Sequence, residues 1–105
     1  MLYFKKHRSE HGDIIAMCDK DLLGKIFRDK KSGVVIDLEK YAAFYKGEEI
    51  NAVDALKLLN EVNIYSGNIV GNESVTVIIK AGLATGNEIK KIENVPTIHI
   101  YKIIH

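Results

Sequence analysis

Bulky and polar side chains alternate from Leu2 to His7, and the alternation runs into Ser9, Glu10, His11 and Gly12. A period of two ending in such a cluster predicts a strand that closes in a turn, and therefore a hairpin. Its return arm holds Ile14, Ile15, Ala16 and Met17 without a polar interruption. An unbroken apolar run of that length marks a strand covered on both faces and central in its sheet. Cys18, at its end, is expected to pack in the interior. Asp19 is a suitable N-cap for a single helical turn through Asp21, Leu22 and Leu23, which Gly24 can end in the left-handed conformation.

Lys25 to Arg28 reads as extended, Lys30-Lys31-Ser32-Gly33 as a turn, and Val34 to Ile36 as a returning strand. A further strand is expected from Ala42 to Lys46, with Gly47 opening the next turn. The clearest helix runs from about Ala52 to Val62: Asn51 caps it, Asp54 occupies its third position, and Val53, Leu56, Leu59 and Val62 form the apolar stripe. From Ser66 to Leu83 the spacing suits both a strand and a buried helix. Gly82 followed by Leu83 has the form of a Schellman ending and favours the helix. Ile89 and Ile92 suggest a short helical turn. Pro96 then forces an extended approach to a last strand with Ile98, Ile100 and Ile104 on one face and His99, Tyr101, Ile103 and His105 on the other. These elements predict an α+β fold: two layers, a mixed β-sheet of about five or six strands, and two helices.

Length and composition agree with that reading. The chain has 105 residues, 47% of them hydrophobic and 28% charged, enough for one globular domain and one core. No apolar run approaches the length needed to cross a bilayer, and MLYFKKHRSE lacks the apolar centre of a secretory signal. One cysteine closes no internal disulfide and offers no zinc framework, so a cytoplasmic setting is expected and no cofactor or metal is. The Asn72-Glu73-Ser74 glycosylation pattern has no weight in that setting.

The net charge of +1 is unevenly distributed. Up to Lys31, eight bases (Lys5, Lys6, Arg8, Lys20, Lys25, Arg28, Lys30, Lys31) exceed the acids, whereas Ser32 to Ile64 is acidic through Asp37, Glu39, Glu48, Glu49, Asp54 and Glu61. Opposite signs on one domain suit either plain solvation or contacts with charged partners.

Four segments in order, Cys18-Asp19-Lys20-Asp21-Leu22-Leu23-Gly24-Lys25, Phe44-Tyr45-Lys46-Gly47-Glu48, Asn68-Ile69-Val70-Gly71 and Asn94-Val95-Pro96, resemble the small archaeal family known as domain of unknown function 424. The resemblance spans nearly the whole chain. It implies an archaeal cytoplasmic protein and brings no active site with it.

Motifs of catalysis are weak. Cys18 lacks a surrounding signature for a nucleophile. His7 and His11 are four apart in a turn, where helical ligand geometry does not arise. Gly24-Lys25 lacks the earlier glycine and following hydroxyl of a phosphate loop, and no dinucleotide fingerprint occurs. Ser66-Gly67-Asn68 ahead of the expected helix is a candidate anion site, since free helix amides attract phosphate; self-capping by Ser66 or Asn68 explains the same residues.

Lys40 to Lys46 interleaves aromatics with lysines, a combination that stacks on bases while charges follow phosphates. In a strand one of Phe44 and Tyr45 must face out of the core. Tyr3, Lys5 and His7 would share a face, as would His99 and Tyr101, and neighbouring placement of the two strands would make a platform for single-stranded RNA. Amphipathic strands alone account for the same pattern. The expected function is a non-enzymatic binding module for RNA or a ribonucleoprotein, with Lys5, Lys25, Arg28 and Lys46 meeting phosphates and Tyr45 stacking. The alternatives are a protein-protein module docking a basic partner on the acidic middle segment, and a small enzyme with a pocket at Ser66 to Gly71.

Overall fold

The computed structural model describes residues 1–101. Its chain order is β1 (Leu2–Ser9), β2 (Gly12–Asp19), β3 (Ile26–Arg28), β4 (Val35–Asp37), α1 (Ala42–Tyr45), β5 (Glu48–Ile50), α2 (Ala52–Leu59), β6 (Ile64–Val70), α3 (Asn72–Lys80), β7 (Lys90–Ile92) and β8 (Val95–Tyr101), with 3₁₀ turns at Lys20–Leu22 and Gly86–Glu88. Six strands form one mixed sheet in the order β5-β1-β2-β6-β8-β7, and β3 and β4 pair as a separate hairpin. Among the described residues the one parallel pair is β2 with β6. The α+β architecture, the six-strand sheet and the two longer helices agree with the sequence pattern.

The apolar run of β2 occupies the centre, as its lack of polar interruption requires: Ile15, Ala16, Met17 and Cys18 are all buried. Side chains alternate across it. Ile15 and Met17 join Leu2, Phe4, Ile69, Ile98 and Ile100 beneath α2 and α3, which contribute Ala55, Leu59, Val75 and Ile78. Ala16 and Cys18 face the other way and pack with Val70, Leu38 and Tyr45 under the β3–β4 hairpin and α1. A partial third layer therefore lies opposite the helices.

Helix α2 starts where Asn51 Oδ1 accepts from the Asp54 amide at 2.8 Å. Its stripe is Ala52, Ala55, Leu56 and Leu59, while Val53 points to solvent, 63% exposed, a one-step rotation from the expected face. The helix ends at Leu59, short of Val62. Helix α3 ends as expected: the Leu83 amide donates to Ile78 O, the Gly82 amide to Ile79 O, and Gly82 takes φ +74°, the double bond of a Schellman motif.

Four expectations are corrected. Ala42–Tyr45 is a turn of helix. Asp37 Oδ1 accepts from the amides of Glu39 and Lys40, which winds the chain into successive turns, and the Tyr41 and Ala42 amides donate to Asp37 O and Glu39 O. The stretch from Ser66 divides. Ile64–Val70 is a strand, in keeping with its β-branched and aromatic residues, and the helix begins only after Gly71, whose φ of +109° turns the chain. The short helical turn expected around Ile89 and Ile92 lies earlier, as a 3₁₀ turn over Gly86–Glu88 with Thr85 as its cap, and Lys90–Ile92 is an edge strand. Strand β5 pairs with β1 where only a turn was expected. Ile103, Ile104 and His105 lie outside the described residues.

Candidate functional site

The sheet face opposite the helices carries rows of side chains set by register. Lys5 pairs with Ala16, Ala16 with Asn68, and Asn68 with His99. One step along, Cys18, Val70, Thr97 and Lys90 are aligned in the same way. The expected platform of adjacent first and last strands is corrected by this order: β2 and β6 lie between β1 and β8. The middle of the face is occupied by Ala16, Cys18 and Val70 beneath Leu38 and Tyr45.

Where the β3–β4 hairpin stands away from β6, β8 and β7, a cleft of about 740 Å³ opens. Val34 and Ile36 form one wall, and Val70, Tyr45 and Asn68 the floor. Thr97, His99, Lys90 and Lys91 come from the far strands, with Asp29 and Ser32 from the hairpin turn. The volume lies within the range of small-ligand sites.

Hairpin and sheet are joined at one corner. Glu93 and Asn94 form the two-residue turn between β7 and β8 with φ of +50° and +67°, as a type I′ hairpin requires. Glu93 Oε2 accepts from the Arg28 amide at 2.9 Å.

Polar groups divide into committed and free. Asp29 accepts from Ser32 Oγ at 2.6 Å and from the Lys31 amide at 3.3 Å, and these bonds, the hydroxyl foremost, lower its pKa. Glu88 reaches back to the Thr85 amide. Lys30 and Lys31, which sit in the turn between Asp29 and Ser32, and Lys90 and Lys91 on the opposite rim form no ion pair among the described residues. Asn68 is half-buried on the floor and makes no side-chain hydrogen bond to a described residue. Tyr45 is 9% exposed, and burial raises its pKa to about 12, so its hydroxyl keeps its proton at neutral pH. No buried side-chain nitrogen or oxygen among the described residues lacks a partner. The Tyr45 hydroxyl, without such a bond, is thus the part of that side chain that meets the cleft.

The residues expected to bind RNA are scattered. Lys5 donates from Nζ to Ala43 O at 2.6 Å, and His7 Nε2 lies 2.9 Å from Phe44 O with its ring stacked on Phe44. These β1 side chains hold the end of α1. Lys25 and Arg28 are exposed on the hairpin, Lys46 is exposed after α1, and Tyr45 is buried rather than presented as a stacking face. Exposed rings among the described residues include His11, Tyr41, His99 and Tyr101; the last two are in edge contact at 4.3 Å, and Tyr41 lies beneath the Lys40 ammonium.

Ser66, Gly67 and Asn68 lie inside β6, and α3 opens only after Gly71, so the helix-amide site expected at these three residues is corrected. The amides that open α3 are occupied: Asp19 accepts from the Glu73 amide at 3.1 Å and from the Ser74 amide at 2.8 Å. Of the three, only Asn68 lines the cleft. Nothing local in the sequence singles out Lys90, Lys91 or Thr97 beyond the lysine pair itself and the alternation that Thr97 shares with His99. Cys18 is fully buried and its pKa is raised to about 12, by burial first and then by Asp19 and Asp21, which removes the thiolate a nucleophile needs.

The family model described as "Protein of unknown function (DUF424)" matches residues 7–103. The chain belongs to DUF424. A solved structure similar to this DUF424 chain is an uncharacterized conserved protein from Methanopyrus kandleri, at TM-score 0.79 and 24% identity over 99% of this chain and 96% of that one. That likeness concerns the fold. No curated protein matches the sequence. Among the described residues no helix is long and apolar enough to cross a membrane.

Proposed function

We propose that this DUF424 protein is a non-enzymatic module that binds single-stranded RNA in the cleft between the β3–β4 hairpin and the β6–β8–β7 side of the sheet. The observation that carries the reading is that Lys90 and Lys91 line the cleft while the exposed Lys30 and Lys31 lie in the hairpin turn whose Asp29 and Ser32 line it, none of the four ion-paired among the described residues, with His99 in the lining and its ring against the exposed ring of Tyr101. Ammonium groups on two rims follow a phosphate chain, and open rings at one end supply stacking surfaces. Lys25 and Arg28 extend the cationic edge along the hairpin. Lys5, tied to α1, and buried Tyr45 leave the set of phosphate and stacking contacts expected from sequence.

An archaeal setting is supported by the Methanopyrus kandleri neighbour. A cytoplasmic one is supported by the single, buried, reduced cysteine.

Titration with an unstructured oligoribonucleotide over a range of salt concentrations tests the reading. Affinity should fall as salt rises. Replacing Lys30, Lys31, Lys90 and Lys91 by alanine should flatten that dependence by roughly 0.7 in log-log slope for each phosphate contact removed. No binding even at low salt, or a slope unchanged in the fourfold variant, would refute it.

A further inference from the structure

Resting on the RNA-binding reading, we infer that the cleft admits one unpaired base and reads its polar edge, with Asn68 as the specificity-determining residue and Tyr45 as a second hydrogen-bond donor.

The charged residues of the lining, Asp29, Glu88, Lys90 and Lys91, come from the β3–β4 turn, the Gly86–Glu88 turn and β7, whereas β6 and α1 line the cleft with uncharged residues, Asn68, Val70 and Tyr45 among them, with Thr97 alongside. A phosphate drawn inside would leave the lysines for a surface that offers it only neutral donors. An aliphatic ligand fits no better, since it would cover the Asn68 carboxamide and the Tyr45 hydroxyl without pairing them, which costs the desolvation of both. A nucleobase meets both conditions. Its flat faces suit the apolar Val34, Ile36 and Val70, and its edge offers adjacent donors and acceptors to a carboxamide that has both. The Thr97 hydroxyl is already engaged, donating to Lys90 O at 3.0 Å. The two free polar groups of the floor are therefore Asn68 and Tyr45. His99, next to Asn68 in register, can cover the base from the open side.

The test compares a short unstructured oligoribonucleotide with the same sugar-phosphate chain lacking bases, against the wild-type chain, Asn68→Leu and Tyr45→Phe. Both substitutions keep approximate shape while removing hydrogen-bonding capacity, and a thermal melt of each variant verifies folding. The base-bearing oligomer should bind more tightly than the abasic chain. Its affinity should fall about tenfold in Asn68→Leu and severalfold in Tyr45→Phe, the size of one hydrogen bond each, with abasic binding unchanged. Equal affinity for both ligands, or variants that bind the base-bearing oligomer like wild type, overturns base reading and leaves RNA binding in place. Failure of both ligands to bind at low salt overturns RNA binding itself.

Discussion

Asp19, the last residue of β2, caps helix α3 through Ser74: one carboxylate oxygen accepts from both the Ser74 amide at 2.8 Å and the Ser74 hydroxyl at 2.9 Å. The other oxygen takes the Glu73 amide. Ser74 is fully buried and Asp19 nearly so. Gly71 permits this approach, because a Cβ there would fall on the Asp19 carboxylate, and its positive φ disfavours a side chain on its own account. A central strand and the helix on its face are thus joined by charge-assisted bonds across the fold.

Asp19→Ala should therefore destabilise the protein by about 2–3 kcal/mol, above an ordinary surface cap because the bonds are buried and ionic. Ser74→Ala, which spares the amide contacts, should cost about 1 kcal/mol. Urea unfolding measures both. An Asp19→Ala variant as stable as wild type would show that the cap contributes nothing.

Stability should fall on the alkaline side. Burial raises Cys18 from 9.0 to about 12 and Tyr45 from 10.0 to about 12. Both are acids that are neutral when protonated, so below about pH 9 folded and unfolded chains hold the same protons on these groups. As pH rises from there towards about 12 the unfolded chain loses them first and is favoured. Unfolding free energies measured across that window should decline, and less steeply in Cys18→Ala and Tyr45→Phe. Identical pH slopes in wild type and variants would contradict the assignment.

The Glu93 contact with the Arg28 amide should limit opening of the cleft. Glu93→Gly relaxes a left-handed backbone position and Glu93→Ala does not, yet both remove the carboxylate. Hydrogen exchange at the Arg28 amide should accelerate in both variants alike. Protection that persists in either would show that the hairpin is held elsewhere.

Much of the fold was legible because its signals are local. The Leu2 to His7 alternation, the Asn51 cap and the Gly82-Leu83 ending each act within a few residues of themselves. What escaped depends on distant partners. Phe44 and Tyr45 have strand propensity, but the α1 carbonyls are held by Lys5 and His7 of β1. Asp19 looks like a cap for the next turn, and its partner lies 55 residues on. The cleft was the least legible feature. Local pattern makes Asn68 an anion ligand and Tyr45 an exposed ring, whereas the β3–β4 turn and the β7–β8 hairpin line one cleft only through tertiary packing.

Chemical-shift mapping of the ¹⁵N-labelled chain with an unstructured oligoribonucleotide at low salt tests the cleft most directly. Perturbations should concentrate at the hairpin turn around Lys30, at Asn68, and at Lys90 to His99, leaving the helix face around Val53 unmoved. Perturbations that cluster on the helix face, or none at all, would contradict an RNA site in this cleft.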